Sequence, residues 1–205
     1  MESQKIYSSL KEKIIWLDIQ PESVLNLSEL AKTYGVSRTP IKEALVFLQA
    51  DGWVLRRGSH VMVTPLSLDR IKEITEIRSA LEIQANVWAM ERINREELGV
   101  LDDLKKKITQ IDERATNKQM VELDTKFHQT LFRATRNSQL AILLDRLLSH
   151  YLRFWLSIPQ EIEPNSFFSQ TLEIIHAIES RDETKLRAAT AEHIKESMDA
   201  IMGTF

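Results

Sequence analysis

Residues 26–48, NLSELAKTYGVSRTPIKEALVFL, predict two short helices joined by a turn at Gly35. Asn26 favours a helix start, and Glu29 follows three residues later at the spacing of a capping box. Glycine adopts the left-handed conformation that ends many helices at little steric cost, so we expect the first helix to end at Gly35. Ser37 is then placed to cap the second helix. The stretch has the length and the helix start and stop signals of a helix-turn-helix.

The second of these helices is predicted to have one apolar face and one polar face. Its apolar residues recur at helical spacing and are Ile41, Ala44, Leu45 and Leu48. Arg38 and Lys42 lie four residues apart and share another face, with Thr39 beside them. A helix-turn-helix inserts a helix of this kind into the DNA major groove. An αα-hairpin with solvated charges is the alternative interpretation.

The flanking residues complete a small winged helix-turn-helix domain over residues 1–65. An amphipathic pattern before the motif predicts a helix that carries Ile6, Leu10, Ile14 and Leu17. After the motif, residues 53–57 and 61–64 read as strands around a turn at 58–60. The hairpin carries Arg56 and Arg57, which suit phosphate or minor-groove contact.

Residues 66–205 are predicted to form an all-α bundle, so the whole chain is expected to be mainly α. Six amphipathic stretches cover roughly 68–92, 95–115, 118–135, 138–158, 166–180 and 183–202. The boundary between the two domains is expected near residues 65–68, where Pro65 ends the wing.

Composition excludes several classes of protein. The 205 residues include no cysteine, which rules out disulfides, thiol nucleophiles and cysteine-based zinc sites. No apolar run approaches the roughly 20 residues that span a membrane, and the N-terminus lacks a signal-peptide core, so a cytoplasmic location is expected. The net charge is −3, with +1 in residues 1–65 and −4 in the remainder. Such a weakly basic first domain favours a dimer that binds two DNA half-sites.

Three polar residues in the second half have the spacing of a metal site. Asp124 and His128 stand one helical turn apart, and His193 lies in the last predicted helix. A carboxylate and imidazoles that converge inside a bundle bind zinc, nickel or another divalent ion. A solvated ion pair between Asp124 and His128 is the alternative that spacing leaves open.

The runs VSRTPIKEAL and LQADGWVLRR resemble the DNA-binding domain of GntR-family transcriptional regulators. The helical remainder resembles the FCD domain of their FadR subfamily. Lys42 stands where the family usually has arginine, which removes the two-pronged fork that reads guanine. His60 stands where glycine is usual. The resemblance implies DNA contacts from Ser37, Arg38, Thr39, Lys42, Arg56, Arg57, Gly58, Ser59 and His60.

The same resemblance implies a metal site in the helical domain. Many FCD domains bind a metal through an aspartate and three histidines, and Asp124, His128 and His193 match three of these ligands. Thr171 stands where the fourth histidine is expected, and His176 lies on another face of that helix. Three protein ligands hold zinc or nickel when water or an effector completes the shell.

An effector pocket is expected in the helical domain, where FCD proteins bind an organic acid or a related metabolite. Arg78 matches an arginine that many FCD proteins turn into this pocket, and its guanidinium suits a carboxylate. A salt bridge to Glu82 on the same helix is the equal alternative. The other candidates for the pocket are His150, Tyr151 and Thr171, with Arg153 and Trp155 nearby in sequence.

These expectations describe a homodimeric regulator, not an enzyme, that binds a palindromic operator. A metabolite in the helical domain would change its operator affinity, as in a repressor or an activator. Two other classes remain open: a metal-dependent enzyme fused to a DNA-binding domain, and a dimerisation module without a ligand.

Overall fold

The computed structural model describes residues 2–160 and 162–204, which divide into two compact units between Ser67 and Leu68. The elements of the first unit are α1 Glu2–Ile15, α2 Leu27–Tyr34, α3 Arg38–Ala50, β1 Val54–Arg57 and β2 His60–Val63. Those of the second unit are α4 Leu68–Arg92, α5 Arg95–Thr109, α6 Asn117–Ala134, α7 Ser138–Ser157, α8 Pro164–Glu179 and α9 Glu183–Thr204. The predicted fold class is confirmed: a winged helix-turn-helix precedes a helical bundle.

The predicted turn between α2 and α3 has the expected geometry. The Asn26 side chain accepts hydrogen bonds from the backbone N–H groups of Ser28 (2.9 Å) and Glu29 (3.3 Å), which start α2. Gly35 takes the left-handed conformation with φ 66°, and the Val36 N–H donates to the Ala31 carbonyl at 3.0 Å. The chain is thereby turned into α3.

Two local predictions are wrong, for Leu17 and His60, and the prediction for Ser37 is confirmed in its position only. Leu17 lies outside α1, because it takes a left-handed conformation with φ 60° and the Ile19 N–H bonds back to Lys13. Ser37 holds the N-cap position, yet its hydroxyl caps no N–H group of the described chain. His60 begins β2 opposite Arg57, so the turn of the wing consists of Gly58 and Ser59 alone.

The wing is attached to the first unit through the segment that precedes α2. Leu25 donates its N–H to the Val61 carbonyl at 2.8 Å, and Val63 donates to the Ser23 carbonyl at 2.9 Å. Below the hairpin, α1, α2 and α3 share one core, whose largest fully buried side chain is Trp53. Because this core holds both α3 and the hairpin, it fixes them side by side.

In the second unit, α4 packs against α6, α7 and α9, while α8 packs on α9 and α5. Helix α5 ends at Thr109, six residues before the predicted end at 115. An Asx turn replaces the helix there, since the Asp112 carboxylate accepts the Arg114 N–H at 2.8 Å. In the part of the chain that the structure describes, no helix is both long and apolar enough to cross a membrane.

Candidate functional site

The polar face of α3 is exposed along its first two turns. Ser37, Arg38, Thr39 and Lys42 all lie on the solvent side. The apolar residues that the sequence assigns to the opposite face are buried: Ile41, Ala44, Leu45 and Leu48. A cationic face is therefore held outward by burial of the other side of the same helix.

The wing adds a second exposed cationic segment, formed by Arg56, Arg57, Gly58, Ser59 and His60. Successive strand residues point to opposite faces, so Arg56 and Arg57 project on opposite sides of the hairpin. Arg56 faces a groove of about 520 Å³ between the hairpin and α3, and Lys42 lines the same groove. We call the nine exposed residues of α3 and the wing the recognition surface.

The second unit buries a group of ionisable side chains, which we call the buried polar cluster. It consists of Arg78 and Glu82 from α4, Asp124 and His128 from α6, and His193 from α9. The three helices bring these residues together from positions up to 115 apart in the chain. Each residue is at most 9% exposed, so water screens their charges little.

Arg78 forms an ion pair with Glu82 on the same helix. Its Nε donates to Glu82 Oε1 and its Nη2 to Glu82 Oε2, the latter at 3.2 Å. The guanidinium also lies 4.4 Å from the centre of the Tyr151 ring. The alternative that the sequence left open, a salt bridge to Glu82, is therefore present, and Arg78 Nη1 has no partner among the described residues.

His128 lies at the centre of the cluster. Its Nε2 is 3.2 Å from His193 Nε2 and 3.6 Å from Asp124 Oδ2, while its Nδ1 is 3.8 Å from Glu82 Oε2. One ligand atom from each of Asp124, His128 and His193 lies within 4.8 Å of the other two. The sequence-predicted metal ligands therefore converge at one point.

Burial determines the protonation of these groups. It raises the pKa of Asp124 to about 7, against the opposing effect of Arg78. Burial also lowers the pKa of His128 well below its usual value. The pKa of His193 falls to about 3, through burial and then the charges of His128 and Arg78. Both imidazoles are thus neutral near pH 7 and keep a ring nitrogen free to coordinate.

The donor set fits a divalent metal. Since zinc–nitrogen bonds measure about 2.0–2.1 Å, two nitrogens on one tetrahedral ion lie about 3.4 Å apart, close to the observed 3.2 Å. Asp124 Oδ1 is buried with no hydrogen-bond partner among the described residues. Glu82 Oε2 lies on the side of the other His128 nitrogen, Nδ1, at a distance too long for a hydrogen bond.

The remaining predicted pocket residues are buried on α7 and α8, and of these Tyr151 contacts Arg78 of the cluster. His150 and Tyr151 lie on α7. Thr171 lies on α8, is fully buried, and its Oγ1 has no partner in the described chain. The sequence did not indicate Asn86, whose amide donates to Thr190 Oγ1 at 3.1 Å and links α4 to α9.

A cavity of about 620 Å³ opens beside the cluster, and Asp124 and His193 line its inner end. We call it the α7–α9 cavity, because the ends of α7 and α9 and the start of α8 surround it. Trp155, Phe167 and Glu196 are also in its wall. Four predicted pocket residues are absent from the described lining: Arg78, His150, Tyr151 and Thr171. Trp155, which in the sequence is only a neighbour of the predicted pocket residues, lines the cavity.

Sequence profiles of two known domains match the chain. The profile of bacterial regulatory proteins of the GntR family matches residues 2–60, and the profile of the FCD domain matches residues 73–196. The two matches fall on the two compact units in turn. FCD domains commonly bind metal, and the Asp-His-His group lies inside the matched range.

Several known regulators are similar to the chain. The HTH-type transcriptional regulator YdhC of Bacillus subtilis is 32% identical over 155 residues, which cover 73% of this chain and 68% of that protein. The HTH-type transcriptional repressor RspR of Escherichia coli is 26% identical over 97% of this chain and 88% of its own length. The solved structure of E. coli McbR/YncC superposes with a TM-score of 0.85 at 20% identity, covering 99% of this chain and 98% of that one. This last likeness concerns the fold alone.

Proposed function

The chain belongs to the GntR family of bacterial regulators with an FCD effector-binding domain, and we propose that it is a homodimer that binds a palindromic operator. Its relatives are transcriptional regulators, a non-enzymatic class, and the chain is a transcriptional regulator like them. A cytoplasmic location, where the chromosome is, forms part of the proposal. The single observation that carries it is the recognition surface on a winged helix-turn-helix.

The recognition surface supports specific roles for its residues. Arg38, at the start of α3, carries the two-pronged fork that pairs with guanine in the major groove. Lys42, one turn later, is a point charge that suits a phosphate or a single base contact. Arg56 and Arg57 contact the backbone or the minor groove from the wing. One such domain carries few cations, so two domains on two half-sites supply the affinity.

In the second unit, we propose that Asp124, His128 and His193 hold a divalent ion, zinc or nickel. When bound, the ion supplies a positive charge and open coordination positions at the inner end of the α7–α9 cavity. Arg78 holds the Glu82 carboxylate, which lies 3.8 Å from His128 Nδ1 and places a negative charge beside that imidazole. Thr171 supplies no imidazole, so water or the effector completes the ligand set.

The effector is proposed to be a metabolite with a carboxylate that occupies the α7–α9 cavity. The cavity volume of about 620 Å³ lies within the range of small-molecule sites. Arg78 pairs with Glu82 and is absent from the described lining of the cavity, so the metal is the cation available to a carboxylate at the inner end. A ligand that binds one arrangement of the helical domain more tightly changes the operator affinity, and the operator changes the ligand affinity by the same factor. The orphaned Asp124 oxygen beside the cavity argues against a dimerisation module with a filled core.

Operator selection from random-sequence DNA tests the first part of the proposal. The wild-type chain is expected to enrich a two-fold symmetric site, and the Arg38→Ala variant is expected to enrich none. Operator affinity measured with and without each of a panel of metabolites then tests sensing. Selection of no sequence by the wild type would refute DNA reading, and constant affinity across the panel would refute sensing.

A further inference from the structure

The ionised side chains at the mouth of the α7–α9 cavity are acidic. Glu196 and Asp199 are exposed and define this mouth, whereas the buried Asp124 lines the inner end. The described lining contains neither lysine nor arginine. Lys195, which directly precedes Glu196 in sequence, pairs with Glu192 at 3.0 Å. The side chains alone therefore give this cavity a negative potential.

The helix ends around the cavity have the same polarity. Trp155 and Ile158 lie at the C-terminal end of α7, and Gly203 and Thr204 lie in the last turn of α9. The C-terminal end of a helix carries the negative end of its dipole. Helix α8 begins at the cavity, but the Glu163 carboxylate accepts its first free N–H groups and offsets that positive end.

Two further observations indicate that a ligand fills this space. Asp124 is 6% exposed, lines the cavity, and keeps Oδ1 without a partner among the described residues. At the wall, the Trp155 Nε1 donates to Ser197 Oγ at 3.2 Å, which fixes the indole. The Phe167 ring lies edge-on to Trp155, with 4.8 Å between centres. Aromatic walls beside carboxylates are typical of sites that bind organic cations.

We propose that the effector carries a protonated amine as well as its carboxylate, and that Glu196 and Asp199 receive the amine at the mouth beside Trp155. The inference rests on the proposed function, which places an effector in this cavity. A metal held by Asp124 and the two histidines would supply the positive charge for the carboxylate, and the ammonium group would lie at the acidic end. The ligand class is therefore an amino-carboxylate whose two charges are separated along its length.

A matched ligand series tests the amine directly. Binding to the zinc-loaded full chain is measured by calorimetry for γ-aminobutyrate, δ-aminovalerate and ε-aminocaproate. Butyrate, valerate and caproate serve as partners of equal length that lack the amine. In at least one pair the amino acid is expected to bind about threefold to tenfold tighter than the simple acid, the range of a partly exposed ion pair with cation–π contact.

Variants locate the effect. Glu196→Gln combined with Asp199→Asn is expected to remove the preference for the amino acid and leave binding of the simple acid unchanged. Glu183→Gln is the control, because this carboxylate lies on α9 but pairs with Arg187 at 2.8 Å outside the cavity lining. Tighter or equal binding of simple acids in every pair would overturn the inference, as would an unchanged preference in the double variant. Calorimetry needs no DNA, so failure to bind an operator is a separate result that concerns only the proposed function.

Discussion

The recognition surface and the buried polar cluster both depend on charged side chains, but their surroundings differ. Arg38 and Lys42 project into water from a helix whose other face is buried. Arg78 and Glu82 lie inside the bundle, where each neutralises the other. An exposed charge stays available to a large partner such as DNA. A buried charge needs a counter-charge from the protein itself.

The sharpest test of this contrast removes one member of the buried pair. Glu82→Ala leaves the Arg78 guanidinium buried without its carboxylate, and it is expected to lower the free energy of unfolding by about 3–5 kcal/mol. Denaturant unfolding followed by circular dichroism measures the loss.

The exposed pair Arg187–Glu183 is the matched control, since it has the same i,i+4 geometry with both side chains more than 40% exposed. Glu183→Ala is expected to cost about 0–1 kcal/mol. Replacing the buried pair together, with Arg78→Met and Glu82→Leu, should recover much of the lost stability because no charge is left uncompensated. Equal losses at the buried and exposed sites would contradict the contrast.

Metal addition is the next largest expected effect. Zinc or nickel at about 100 times its dissociation constant should raise the free energy of unfolding by about 2.7 kcal/mol, because the folded chain assembles the ligands. His128→Ala and His193→Ala should each abolish the rise. His176→Ala is the control, since His176 is exposed on α8. Thermal unfolding with and without chelator measures the change, and a rise that survives in both variants would place the metal elsewhere.

Substitutions on the recognition surface should affect DNA and leave stability alone. Arg38→Ala is expected to cost about 1–3 kcal/mol of operator affinity per half-site, because a two-pronged base contact is lost. Lys42→Ala should weaken binding to all sequences and reduce the salt dependence by about one charge. Fluorescence anisotropy at several salt concentrations separates the two effects. Arg114→Ala, an exposed arginine of the second unit, should change neither quantity.

Acidification should destabilise the metal-free chain through the buried cluster. His128 and His193 have lowered folded pKa values, so the unfolded chain takes up their protons first as the pH falls below about 6.5. Asp124 acts in the opposite direction, because its pKa of about 7 lets the folded chain bind a proton earlier. Near pH 5 the unfolded chain therefore binds about one proton more than the folded chain. The free energy of unfolding should fall by about 1–2 kcal/mol from pH 7 to 5.

Chelator-treated protein in urea at each pH measures this slope. His193→Gln should flatten this pH dependence, because the unfolded chain then takes up only one histidine proton, which the Asp124 proton of the folded chain nearly offsets. A wild-type stability that rises on acidification would contradict the predicted protonation states.

The two regions also differ in how far the sequence predicts them. The apolar pattern of α3 predicts which of its residues are exposed, because the face opposite the apolar positions must point outward. The same periodicity predicts that Asp124 and His128 share a face. Their approach to His193 and the α4 residues depends on how α4, α6 and α9 pack, and no local periodicity contains that information. The link of the wing to residues 22–25 was missed for the same reason, since it pairs segments distant in sequence.

Local sequence patterns are enough to predict the winged helix, the helical remainder and the family, because helix propensity, turn residues and short motifs act over short stretches. Local competition with hydrogen-bonding side chains shifted the end of α5, where Asp112 forms a turn. The packing of the helices, in contrast, is needed to show that Arg78 binds Glu82, that three ligand atoms converge, and that the adjoining cavity is acidic. Each of these properties depends on how the helices pack, and burial changes the protonation of the side chains only after the helices have packed.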